Sequence, residues 1–118
     1  MFKLIILVLL FSCKSSNIII PLRADFERIH DKQYIVNVYD CSDKCIDYGE
    51  ALERAGYKIQ IHIFSTRNPK LDHSVVWVNN NYIDPTTGFS CKEPWEINSL
   101  FGGKLKKSIT IAQLKKLK

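Results

Sequence analysis

Cys41, His73 and Asp84 are the three side chains whose types and order suit thiol chemistry at a carbonyl. A cysteine attacks as its thiolate, so its pKa must fall from about 8.5, and a helix N-terminus lowers it. Cys41 opens an amphipathic run directly behind Asp40, a residue type that caps helices. The N–H of a residue in that position has no intrahelical partner, and such a group stabilises the oxyanion of an acyl-transfer intermediate. The thiol also needs a base, and the base needs an orienting group. With Asn79-Asn80 as a hairpin turn, Val75 lies opposite Asp84 and Trp77 opposite Tyr82. His73 is then diagonal to Asp84 on the same sheet face, within reach of long side chains. A hydrogen bond from the imidazole to Asp84 would fix its tautomer and turn the other ring nitrogen toward the thiol.

The elements that must hold these groups are legible as changes of period. Cys41, Cys45, Tyr48, Leu52 and Ala55 recur at three- and four-residue steps, on one face of a helix. Gly56 ends that helix where a left-handed residue is wanted. Tyr57, Ile59, Ile61 and Ile63 then alternate, as in a strand packed on one side. Residues 65–71, with Asn68-Pro69, read as a loop, and His73 to Val78 with Tyr82-Ile83-Asp84 as the arms of a tight hairpin. Upstream, Leu22, Phe26 and Ile29 suit a short helix, and the alternation from Gln33 to Tyr39 suits an extended segment. Beyond Gly88, Pro94 and Gly102-Gly103 break the pattern, and Ile109 to Leu117 suits a terminal helix. The fold class that follows is α+β, a helix packed on a small antiparallel sheet.

These motifs resemble the transglutaminase-like branch of the papain-type cysteine hydrolases. Domains of that kind open their catalytic helix with Cys-x-Asp-x-Ala, with a Leu eleven and a Gly fifteen residues after the Cys. Cys41-Ser42-Asp43-Lys44-Cys45, Leu52 and Gly56 sit at those offsets. The family's His-Ala-Trp-Val-x-Val strand is similar to His73-Ser74-Val75-Val76-Trp77-Val78, and its Asp-Pro-Thr to Asp84-Pro85-Thr86. The likeness covers residues 39 to 87, about two fifths of the chain. It departs at Asp40, where the family more often has a small residue, at Cys45 in place of a small one, and in the Trp, two places further along. The resemblance implies a transglutaminase-like core with Cys41 forming a thioester, His73 shuttling the proton and Asp84 orienting His73. The implied reaction is acyl transfer or hydrolysis at a peptide or side-chain amide, without metal or organic cofactor. The second oxyanion donor of the relatives lies upstream of the nucleophile, which leaves Gln33, Asn37 and Tyr39 as candidates here.

Other readings of the same residues stand beside this one. Cys45 is the rival nucleophile, although one turn into the helix its N–H is already bonded and the offsets to Leu52 and Gly56 no longer match. Cys45 otherwise reads as a small core residue. A Cys41–Cys45 disulfide would join adjacent helical turns in poor geometry. Cys41, Cys45, His73 and Cys91 would make a zinc set, since four N/S ligands suffice. His30 and His62 read as surface or satisfied core histidines, Trp77 and Tyr82 as a cross-strand pair, and Trp95 by default as a core aromatic, with a place in a substrate cleft as its alternative.

The chain is 118 residues long, room for one domain. Its first residues carry a different message. Lys3 is followed by the apolar run Leu4 to Phe11, too short to span a bilayer but suited to the apolar core of a secretory signal. Leu10-Phe11-Ser12-Cys13 resembles a bacterial lipobox, and Lys14-Ser15-Ser16-Asn17 turns abruptly polar. Residues 1–12 are thus expected to be a lipoprotein signal peptide, 13–24 a lipidated N-terminus and tether with Cys13 as the acylated residue, and 25–118 the domain. The protein is then expected in a bacterial envelope, exported and held at a membrane surface by its lipid. With Cys13 acylated, Cys41, Cys45 and Cys91 remain, an odd number in an oxidising compartment, so one thiol stays unpaired within a monomer. The net charge of +5 owes much to the lysine-rich, acid-free stretch from Lys104 to Lys118. Those lysines lack interleaved aromatics, so anionic lipid or cell-wall polymer fits them better than nucleic acid, and a solvated helix face better still. A non-catalytic, lipid-anchored binding module of the same fold is the alternative function, with a zinc-stabilised structural domain behind it.

Overall fold

The computed structural model describes residues 18–118, in which the two periodicities of the sequence become four helices and five strands. In chain order these are α1 (Arg23–Asp31), α2 (Cys41–Arg54), β1 (Ile59–Ser65), β2 (Asp72–Val78), β3 (Asn81–Ile83), β4 (Ser90–Cys91), α3 (Pro94–Phe101), β5 (Leu105–Ile109) and α4 (Ile111–Leu117). The strands form one antiparallel sheet in the order β4-β3-β2-β1-β5, and the class is α+β. Residues 1–12 and Cys13 lie outside the described residues. Ile18 is buried and α1 starts at Arg23, so the packed body begins within the stretch read as tether. None of the described helices is long and apolar enough to cross a membrane.

Strand alternation builds two cores from one sheet. Ile61, Ile63, Val76, Val78 and Ile83 face α1, α2 and α4, meeting Phe26, Ile29, Cys45, Tyr48, Leu52, Ile111 and Leu114. Phe64, Val75, Tyr82 and Cys91 point the other way, against Ile97 of α3 with Phe89 and Phe101 at the margin. Shifting β2 by one residue would exchange its two side-chain sets, so both apolar faces hold its register. Asn79 and Asn80 turn the β2–β3 hairpin with φ of 54° and 61°. Both values are positive, as a two-residue turn of primed type requires. The expected Trp77–Tyr82 pair is present in the register.

Four expectations meet a different outcome. Residues 33–39 are not extended but fold into a tight turn closed by the bridge between Ile35 and Tyr39. Two backbone bonds join that pair, at 2.9 and 2.7 Å, with Asn37 at φ 64° between them. Pro94 starts a helix instead of breaking the chain, because the first helical position loses no hydrogen bond to a missing N–H. Trp95 is 61% exposed and is no core aromatic. Ile109 ends a strand, and α4 begins two residues later behind the cap of Thr110, whose side chain accepts from the Gln113 N–H. The strand β5 went unread because Leu105 and Ile109 are its only apolar residues and Leu105 is exposed.

Candidate active site

The first turn of α2 is built by a reciprocal cap. The Asp40 carboxylate accepts from the N–H groups of Ser42 at 3.0 Å and Asp43 at 3.4 Å. Asp43 in turn accepts from the Asp40 N–H at 3.0 Å. This capping box satisfies donors that the helix cannot and fixes Cys41 as the first helical residue. Lys44, 2% exposed, adds a second anchor: its ammonium donates at 2.7 Å to the carbonyls of His30 and Lys32, where α1 ends. The Tyr39 hydroxyl donates to Asp47 at 2.6 Å, pinning the intervening loop to α2.

His73 enters from the start of β2. Its Nε2 donates to the Asp84 Oδ2 at 2.6 Å, the diagonal contact that the hairpin register implies. Asp84 is fully buried, and the turn that follows it meets the remaining acceptor capacity. Thr86 N–H donates to Oδ1 at 2.9 Å and the Thr87 hydroxyl to Oδ2 at 2.9 Å. His30 buttresses this turn through a hydrogen bond between its Nδ1 and the Pro85 carbonyl, at 3.0 Å. With Nε2 committed to the carboxylate, Nδ1 is the ring nitrogen left for the thiol. Phe101 of α3 lies over the imidazole, ring centroids 4.1 Å apart, and restricts both its rotation and its contact with water.

The electrostatics of the pair follow. Burial alone would push the Cys41 thiol up. Hydrogen bonds from His73 and from the Ser74 N–H, with the imidazole's charge, outweigh that and bring the thiol below its ordinary value. Asp40 pushes weakly the other way. Burial alone would lower His73, but its hydrogen bonds to Asp84 and Cys41, and the charges of both, raise its pKa to about 9. A lowered thiol beside a raised imidazole shifts the pair toward thiolate and imidazolium, the direction that makes a cysteine more nucleophilic.

Cys45 is set apart from this pair. It is fully buried, its thiol donates to the Ser74 carbonyl at 3.2 Å, and burial pushes its pKa well up. Cys91 lies on the other sheet face, where burial pushes its pKa to about 12. Cys41, Cys45 and Cys91 are all free thiols. Among the described residues no three His, Cys, Asp or Glu side chains converge as a metal-holding group, so the zinc set is not assembled. His62 is a satisfied core histidine, bonded to the Tyr82 hydroxyl and the Gln60 side chain at 2.9 Å each.

Of the residues upstream of Cys41, Tyr34, which was not among the candidates, is the one whose side chain lies beside it. Its phenol lies near enough to Cys41 for the charge, thiol and backbone N–H of that residue to act on its pKa. Burial and then the charges of Cys41 and Asp40 raise its pKa, so it keeps a proton to donate. Tyr39 is spent on Asp47. No spacing rule could select Tyr34, because the turn at 35–39 reverses the chain that carries it. A cleft of about 470 Å³ opens elsewhere, lined by Ile19, Pro21, Tyr57, Asn79, Asn80, Asn81 and Lys92. It lies past the far end of β2 from His73, and Cys41, His73 and Asp84 do not border it. Comparison with protein-family models, curated proteins and solved structures gives no match to this chain.

Proposed function

We propose that the protein is a cysteine acyltransferase or hydrolase acting on peptide or side-chain amides, with Cys41 as nucleophile, His73 as acid–base and Asp84 as the group that orients it. The observation that carries this reading is the buried 2.6 Å His73–Asp84 bond, with Cys41 at a helix N-terminus near enough to the imidazole for each to shift the other's pKa. The Cys41 sulfur adds to the amide carbonyl carbon, and the oxyanion takes hydrogen bonds from the Cys41 N–H and the Tyr34 hydroxyl. The His73 imidazolium passes its proton to the leaving nitrogen as the C–N bond breaks, leaving a thioester. His73, now neutral, deprotonates water or an amine, which attacks the thioester and returns Cys41 as thiolate. The antiparallel sheet with the helix packed on it supports assignment to a transglutaminase-like core.

The proposal includes a location. The short apolar run Leu4 to Phe11 and the lipobox-like Leu10 to Cys13 support export and lipid anchoring at a bacterial envelope, with envelope peptide or protein as substrate. A second reading, a lipid-anchored binding module, draws support from the exposed apolar residues Tyr34, Ile35, Val36 and Val38 beside the site. The two separate in one experiment. The protein is incubated with a pool of peptide amides and examined by mass spectrometry for a hydroxylamine-labile acyl adduct. An adduct on Cys41 that vanishes in Cys41→Ala and forms slowly in His73→Ala is expected of the enzyme. No adduct with any amide, but retention of peptides on the protein, would establish the binding module.

A further inference from the structure

The nucleophile stands in an unfavourable charge environment on its own helix. Asp40 precedes Cys41 and Asp43 follows it by two residues, and both carboxylates are needed for the cap. Negative charge beside a cysteine opposes the thiolate, and Asp40 acts on Cys41 in that direction. Of the two acids that set the helix, Asp40 thus works against the chemistry at its first residue.

Lys118 meets both of them. Its ammonium pairs with the Asp40 Oδ1 at 3.4 Å and closely with the Asp43 Oδ2, on the exposed side of the helix end. The pairing is placed by packing and not by chance encounter of two long side chains. The helix α4 lies antiparallel along α2. Ile111 packs where Gly49 has no side chain, so close that a Cβ there would lie 2.8 Å from Ile111 Cδ1. Lys115 pairs with Glu50 at 2.6 Å, and Leu114 is buried. Those contacts fix the register that brings position 118 to the first turn of α2. The negative end of α4 also lies beside the positive end of α2, a favourable arrangement of helix dipoles.

We infer that Lys118 is a positioning residue for the nucleophile, holding the Asp40–Asp43 cap in place and offsetting its negative charge at Cys41. The groups that act on the thiol are His73 and the Ser74 N–H from β2 and Asp40 of the cap, with Tyr34 from the preceding loop and Cys45 one turn below also near it, while Asp43 and Lys118 complete the cap beside Asp40. Removing the ammonium leaves the charge of the Asp40–Asp43 cap uncompensated at the helix end, with His73 and the Ser74 N–H alone to favour the thiolate. This inference rests on the reading of Cys41 as an activated thiol, yet its test does not require turnover.

The test follows alkylation of Cys41 in the full chain by iodoacetamide, resolved by mass spectrometry of the Cys41 peptide from pH 5 to 10. Lys118→Gln should slow alkylation about threefold to tenfold at pH 6.5, with rates converging on the wild type above the ordinary thiol pKa. Lys118→Arg should restore the wild-type profile within about twofold, because it returns the charge. Asp40→Asn in the Lys118→Gln background should recover most of the loss, since Asn still caps a helix. A Lys118→Gln profile that overlays the wild type, or one slowed by the same factor at every pH, overturns the inference. If the wild-type thiol is itself ordinary or fails to acylate, the proposed activity falls, while the difference between the Lys118 variants still decides the role of the ammonium.

Discussion

At the scale of single residues, the candidate site shifts two pKa values in opposite directions, Cys41 down and His73 up. Asp84 has a fully buried carboxylate whose acceptor positions are filled by His73 and by the two threonines that follow it. Replacing it with Asn keeps the shape and removes the charge that helps to raise His73. We expect the His73 imidazole in Asp84→Asn to titrate well below its value of about 9, toward the ordinary 6.5, in an NMR pH titration. An imidazole that still titrates near 9 in that variant would transfer the cause from Asp84 to Cys41. The identities of Cys41, His73 and Asp84 were readable because each sits inside a short motif with a definite spacing. Tyr34 and Phe101 were not readable. Both reach the site by a reversal of the chain or a crossing of the sheet, and neither leaves a local pattern in the sequence.

At the scale of elements, the same difference recurs. The α2 helix, β1 and the β2–β3 hairpin were legible because burial on one face writes a clear period into them. The segment at 33–39 alternates like a strand, yet folds as a turn. Its apolar residues Ile35, Val36 and Val38 have no sheet to join and stand exposed. The crossing from α3 to β5 was read only as a break, and the structure gives the break its reason. A Cβ at Gly103 would lie 1.9 Å from the Ser65 carbonyl oxygen, so backbone meets backbone there. Gly103→Ala must displace either the end of β1 or the start of β5, whose pairing holds the outer edge of the sheet. A loss of about 1–3 kcal/mol in urea unfolding is expected. A loss below the error of the measurement would mean that this crossing yields easily and does not constrain the edge.

At the scale of the molecule, the thiol and imidazole affect stability with opposite signs. His73 is raised above its unfolded value, so its contribution is complete below about pH 6.5 and lost as pH rises through about 9. The Cys41 thiol is lowered, so its contribution is present above the unfolded thiol pKa and lost as pH falls through the folded one. In the wild type the two slopes oppose each other where they overlap. Cys41→Ser removes one of them. Its unfolding free energy should therefore fall more steeply between pH 6.5 and 9 than that of the wild type, measured by urea titration across that range. Equal slopes would show that the Cys41 thiol makes no pH-dependent contribution to stability in this range.

The proposed anchoring also belongs to the whole molecule. Radiolabelled fatty acid should mark the wild type and not Cys13→Ser when the chain is expressed in a bacterial host. A mature protein that keeps Met1 and takes up no lipid would remove the envelope from the account.

The central claim is that Cys41 is an activated thiol, and its alkylation rate against pH tests that most directly. Iodoacetamide should modify Cys41 faster than Cys45 or Cys91, and should keep doing so below pH 7, where an ordinary thiol is almost wholly protonated. His73→Ala should return the rate to the pH dependence of a free cysteine, and Asp84→Asn should have a smaller effect. A wild-type Cys41 that titrates like a free thiol, with a profile unchanged by His73→Ala, would contradict the account.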